Sequence, residues 1–231
     1  MDLIQLNRLS EELLLKVKMQ KPTKELVDEL RDAPSSFLGS QLVTDRSKKA
    51  FWINTYNAFY QIMRMSDGVA KTRIYKERVI EIAGSSFSLD DIEHGILRRY
   101  RWKPSMGYLT DPFVRKELKE LAVENIDFRI HFALNCGAKS CPPIAFYDPE
   151  GIDQQLDLAT LSFLEMETEI IEDKKEILVT RLMLWYIGDF GGQRGVRKVL
   201  QKVLGIDTHG YKLKFKPYSW VDALENFTEM E

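Results

Sequence analysis

"RIHFALNCGAKSCPP" (residues 129–143) holds both cysteines of the chain and one of its three histidines. Side chains on a strand alternate between two faces. Read that way, Ile130, Phe132, Leu134 and Cys136 face the core, while Arg129, His131, Ala133 and Asn135 face the other side. The alternation predicts that 128–135 is a strand and Cys136 a small buried hydrophobe. His131 then points away from Cys136, onto a surface or into a cleft. Cys141 follows the turn-rich "GAKS" and precedes Pro142-Pro143, which bias it away from helical geometry. That position suits access better than packing, and a nearby His, Lys or oriented amide would lower its thiol pKa.

Around this stretch the chain alternates helices and short strands. Helices are expected over 3–18 and 24–32, with Thr23 as an N-cap. Others are expected over 48–65, 111–124 and 152–166, and in "RLMLWYIGDF" and "RGVRKVLQKVLG". "RVIEIAG" and "SSFSL" read as a strand pair turning at Gly84-Ser85. "EIIEDKKEILVT" (169–180) reads as a hairpin turning at Asp173-Lys174, and "YKLKFKPYSW" (211–220) as a late strand. The fold class is α+β, a mostly antiparallel sheet packed against helices. Residues 1–44 form an N-terminal helical extension to a single domain spanning 45–231.

In "SLDDIEHGILRR", Ser88 and Asp91 make a capping box. Leu89, Ile92 and Ile96 form the buried face, and Glu93 sits at its edge. An acid there needs a partner: a histidine from another element, or an arginine. His94 points nearly opposite, near Asp90 and Arg98. In "WINTYNAFYQI", Trp52, Tyr56, Phe59 and Met63 follow core spacing, while Asn54, Asn57 and Gln61 share one face. Those amides either satisfy loop backbone or orient a catalytic imidazole.

The 231 residues carry 33 Lys+Arg against 35 Asp+Glu, so no single-sign field points to nucleic acid or to an anionic membrane. "LRRYRWK" (97–103) and "RGVRKVLQK" (194–202) read as solvated helix faces. The N-terminus lacks signal-peptide features and no long apolar run occurs, so the expected location is cytoplasmic. Thiols stay reduced there, and a Cys136–Cys141 disulfide is not expected. His209, in "GIDTHGY", reads as turn chemistry.

"FWINTYNA" (51–58), "FSLDDIEHGILR" (87–98), "RIHFALNCGAKSCPPI" (129–144) and "WYIGDFGG" (185–192) together resemble the domain-of-unknown-function family 547. That family resembles, at a distance, papain-like and transglutaminase-like thiol hydrolases, where a Cys, a His and an acid or amide cooperate. The resemblance implies Cys141 or Cys136, His131 or His94, and Glu93 or Asn54 as the catalytic set. One departure is Phe128 in "DFR", where the family commonly has proline.

The leading expectation is a cysteine-nucleophile hydrolase or acyl transferase, with Cys141 attacking, His131 as base and Glu93 orienting it. An amide- or peptide-type small substrate would suit it, with no cofactor. Reach is the difficulty: five strand residues put His131 roughly 16 Å from Cys136. Two alternatives are a zinc site of Cys136, Cys141 and histidines, and a non-catalytic binding or scaffold module.

Overall fold

Thr44 opens the longest helix of the computed structural model, which describes residues 5–66 and 73–228. Its hydroxyl accepts from Ser47 N–H at 3.1 Å while its own N–H donates to Ser47 Oγ at 3.1 Å. This reciprocal cap starts α4 (Asp45–Met65). Trp52, Tyr56, Phe59 and Met63 are all buried on it, as their spacing predicts. The helix is buried on nearly every side because helices pack around it. The N-terminal α1 (Leu6–Lys18) lays Leu6, Leu9, Leu13, Leu14 and Val17 into the same core. Each such leucine contributes about 1.5–3 kcal/mol. Positions 3 and 4 of the expected first helix lie outside the described residues. α2 (Lys24–Asp32) follows as expected, then α3 (Ser36–Gln41).

β1 (Ile80–Ile82) and β2 (Ser85–Phe87) pair antiparallel. Ala83 at φ 49° and Gly84 at φ 76° make their two-residue turn. Both positive values suit the twist of a tight hairpin, and the turn lies one residue earlier than predicted. The helix expected over 111–124 contracts to α5 (Lys116–Leu121), because Asp111 accepts from Phe113 N–H at 2.8 Å and holds a turn there.

The second core gathers α6 (Ile152–Glu167), α7 (Leu182–Trp185), α8 (Gly192–Leu204) and a three-stranded sheet. β3 (Glu169–Ile171) and β4 (Glu176–Val179) form the expected antiparallel hairpin. β5 (Lys212–Phe215) joins β4 in parallel, the intervening α8 serving as the crossover. The architecture is α+β. Among the described residues no helix is long and apolar enough to cross a membrane.

The opening stretch departs most from expectation. Phe128–Phe132 is a 3-10 turn of helix, not a strand. Burial explains the failed alternation: His131, Ala133 and Asn135 are as buried as Ile130, Phe132 and Leu134. Ile130 belongs to the first core and Phe132 to the second, so the turn plugs the seam between them. Asp127 starts it, accepting from the backbone N–H of Arg129 at 3.1 Å. Asp127 also pairs with Lys49 and Arg129, each at 2.7 Å.

After β5 the chain returns over the first core. Ala223 N–H donates to Gly137 C=O, Lys139 N–H to Val221 C=O and Ile144 N–H to Asn226 C=O. This C-terminal strap closes the cysteine loop from outside.

Burial alone would raise the Asp127 pKa, but its hydrogen bonds and charges with Arg129 and Lys49 outweigh that and hold it at about 2. A carboxyl depressed in the folded state contributes stability above its unfolded pKa and loses it as pH falls from about 4 to 2. Asp127→Asn is expected to cost about 2 kcal/mol at pH 7. Urea denaturation should show the gap from wild type narrowing to about a third by pH 2.5.

Candidate functional site

A cavity of about 370 Å³ opens beside the cysteine loop. Its wall includes Glu93, His94, His131, Cys136 and Cys141, with an aromatic set from Tyr56 to Trp220. Five of the six sequence candidates therefore meet at one place. The sixth, Asn54, does not line it. Its amide donates to Tyr147 C=O at 2.7 Å and its oxygen accepts from Tyr147 N–H at 3.1 Å. Asn57 does the same for the cysteine loop, donating to Ala133 C=O and accepting from Asn135 N–H, both at 2.9 Å. Gln61 accepts from Glu225 N–H. These buried amides satisfy loop backbone.

The two sulfurs are joined as a Cys136–Cys141 disulfide. This overturns the expectation of two free thiols. Their burial is also the reverse of that predicted: Cys141 is 4% exposed, whereas Cys136 is half-buried. The fold brings them together because Asn135 pins both ends of the loop. Its side chain donates to Pro142 C=O and accepts from Gly137 N–H, each at 2.7 Å. Gly137 takes φ 66°, and a Cβ there would lie 2.7 Å from the Tyr60 ring. Cys136 N–H donates to Cys141 Sγ at 2.9 Å, and the Tyr218 hydroxyl lies 3.0 Å from each sulfur.

Glu93 and His94 come from a segment wound more loosely than an α-helix. Between Asp91 and Leu97, Arg98 N–H reaches Glu93 C=O and Tyr100 N–H reaches Gly95 C=O, five residues back. The expected Ser88–Asp91 capping box opens it, with both reciprocal bonds at 3.0 Å. Wide turns of this kind recur at functional sites. Here the widening places Glu93 and His94 on one buried side, 3.6 Å apart, although a regular helix would turn them apart.

Arg98 is the part of this segment that the sequence reading missed. It belongs to the cluster read as a solvated face, yet it is 1% exposed. Its Nε–H donates to Asp189 Oδ2 at 2.6 Å, and its Nη1–H donates to His94 Nδ1 at 2.7 Å. A guanidinium only donates, so His94 Nδ1 holds a lone pair and the ring is neutral. Burial is the main cause lowering the His94 pKa.

His131 Nε2 lies 2.9 Å from the same Asp189 Oδ2. Asp189 is an ionised acceptor, because the His131 and Arg98 bonds outweigh the burial that would raise its pKa. His131 therefore donates through Nε2, leaving Nδ1 as the basic nitrogen. Burial lowers the His131 pKa, so the ring is neutral at rest. Its plane stacks on Tyr186, with centroids 3.8 Å apart. Asp189, not Glu93, is thus the acid behind His131.

Glu93 Oε1 accepts from the Tyr186 hydroxyl at 2.7 Å, and Oε2 from Tyr56 at 3.4 Å. Burial works to raise its pKa, but the nearby Arg98 charge and the Tyr186 bond act against it and leave the carboxyl pKa lowered, so it is ionised.

One local signal points to Asp189: an acid in the apolar "WYIGDF" demands a buried partner. The distance from Arg98, 91 residues away, hides that partner from any local pattern. Among the described residues no group of three or more His, Cys, Asp or Glu side chains is gathered to hold a metal. Sulfurs joined in a disulfide are not thiolate ligands. His209 sits in the expected turn, its N–H donating to Asp207 at 2.9 Å.

Fold and site define an α+β protein with a cysteine pair, a buried His–Asp dyad and an ionised glutamate around one aromatic cavity. The chain belongs to the family described as "Protein of unknown function, DUF547", whose model matches residues 40–164. No curated protein and no solved structure matches it.

Removing one partner of a buried ion pair strands the other. Arg98→Met is therefore expected to cost about 3–5 kcal/mol. The double variant Arg98→Met/Asp189→Leu should recover part of that loss, read from chemical denaturation midpoints.

Proposed function

We propose that the chain, with its disulfide reduced, is a thiol enzyme of the acyl-transfer class that cleaves or exchanges amide-type bonds. The observation that carries this reading is His131, backed by the buried Asp189, in the wall of the cavity that both sulfurs line. An external dithiol would reduce the disulfide, becoming oxidised itself and leaving two thiols. Cys141 is the better nucleophile, because Cys136 N–H already donates to its sulfur in addition to the Tyr218 hydroxyl that the two sulfurs share. Both would stabilise a thiolate.

In this reading His131 Nδ1 takes the thiol proton as sulfur attacks the substrate carbonyl carbon. The imidazolium then returns that proton to the departing amine as the carbon–nitrogen bond breaks, leaving a thioester. Water or a second amine attacks the thioester, losing its proton to His131, and the thiolate departs. Asp189 holds the ring in the tautomer this needs and balances the imidazolium. Glu93 adds negative potential to the same wall. The substrate is a small molecule or peptide, and the reduced pair suits a reducing compartment such as the cytoplasm.

The disulfide itself favours a second reading, a non-catalytic binding module in which the Cys136–Cys141 bond closes the loop under Tyr218.

Alkylation separates the two. After mild reduction, iodoacetamide should label Cys141 with a midpoint clearly below the ordinary thiol value of about 8.5. His131→Asn should move that midpoint back towards the ordinary value, with the fold retained by circular dichroism. If neither thiol reacts faster than free cysteine, or if His131→Asn changes nothing, the enzyme reading fails. A fall in melting temperature on reduction, without a fast thiol, would mark the binding module.

A further inference from the structure

The charges around the cavity do not cancel. Arg98 and Asp189 neutralise one another at 2.6 Å, and Lys103 and Asp90 do so at the rim at 2.8 Å. His94 is neutral because its Nδ1 accepts from Arg98, and the His131 Nε2–H donates to Asp189. Glu93 remains. Among the described residues its single ion-pair neighbour within 4 Å is that neutral His94. Two tyrosine hydroxyls hydrogen-bond the carboxylate, but neither carries a compensating charge. A charge sheltered in this way ordinarily has a counterion.

The remaining wall is suited to one kind of counterion. Trp185, Tyr218 and Trp220 meet as a corner, with centroids 4.7 to 5.6 Å apart. Their planes cross at 50°, 27° and 56°, so the three rings pack on one another as a tilted cluster that lines one wall of the cavity. Tyr75 and Tyr56 line the same cavity. Aromatic faces attract cations, most strongly where water is displaced, and rings gathered around a recess recognise substituted ammonium groups. The protein's own side chains already make such contacts at the margin: Arg98 lies 4.6 Å from the Tyr186 centroid and Lys103 5.5 Å from that of Tyr75. The cavity volume of about 370 Å³ falls within the range of small-ligand sites. Inorganic cations fit poorly, since they prefer several oxygen ligands to ring faces.

We propose that this cavity binds a substituted ammonium group, held by the Glu93 charge and the Trp185–Tyr218–Trp220 corner. Assigning that group to the substrate whose carbonyl meets Cys141 rests on the thiol reading; the binding itself does not.

Calorimetric titration of the oxidised, disulfide-bonded protein tests this without any thiol chemistry. The probes are choline and 3,3-dimethylbutan-1-ol, its neutral counterpart of nearly the same shape. Choline is expected to bind at least about tenfold more tightly. Glu93→Gln should abolish that preference. Trp220→Leu should weaken choline several-fold, and Trp220 is 61% exposed, so its loss leaves the core intact. Butylammonium in place of choline shows whether methylation or charge alone is read. Equal affinity for the charged and neutral probes, or no binding of either to folded wild-type protein, overturns the proposal. That failure would leave Cys141 alkylation unaffected. Slow alkylation would likewise leave the choline preference intact, so the two readings fail separately.

Discussion

The site depends on one buried ion pair. Arg98 and Asp189 have side chains 1% and 0% exposed, and they join the loosely wound 91–97 segment to the turn after α7. Without Asp189 the guanidinium would be an uncompensated buried charge; without Arg98 the carboxylate would meet a neutral ring alone. Their contact also sets two histidine tautomers. Arg98 makes His94 Nδ1 an acceptor, and Asp189 makes His131 Nε2 a donor. The proton positions on which any chemistry here relies are thus consequences of one pair.

Around it, buried amides take the place of regular secondary structure. The cysteine loop has no sheet or long helix to satisfy its backbone. Asn57 and Asn135 supply the missing donors and acceptors, and the C-terminal strap supplies others. Leaving such groups unmet would cost about 1–3 kcal/mol each. That cost explains three amides on one face of an otherwise aromatic helix.

Much of this was legible from the chain. The helix period of α4, the hairpins at 80–87 and 169–179 and the Ser88–Asp91 cap were readable because each is set by residues a few positions apart. The family resemblance implies Cys141 or Cys136, His131 or His94, and Glu93 or Asn54; all of these but Asn54 line one cavity. What failed did so for non-local reasons. The alternation in 128–135 mimicked a strand, but that stretch sits between two cores and is buried on both faces. A reducing compartment implies free cysteines, whereas Asn135 folds the loop until the sulfurs meet. Arg98 looked solvated because its partner lies far along the chain.

The chain beyond the matched region has a consequence for where this site begins and ends. The family model stops at residue 164, after Glu93, His131 and both cysteines. Asp189, Tyr186 and Tyr218 come later, and they supply the acid behind His131, the hydroxyl on Glu93 and the hydroxyl over the sulfurs. A fragment trimmed to the matched region would keep Glu93, His131 and both cysteines but lose the side chains that hydrogen-bond them.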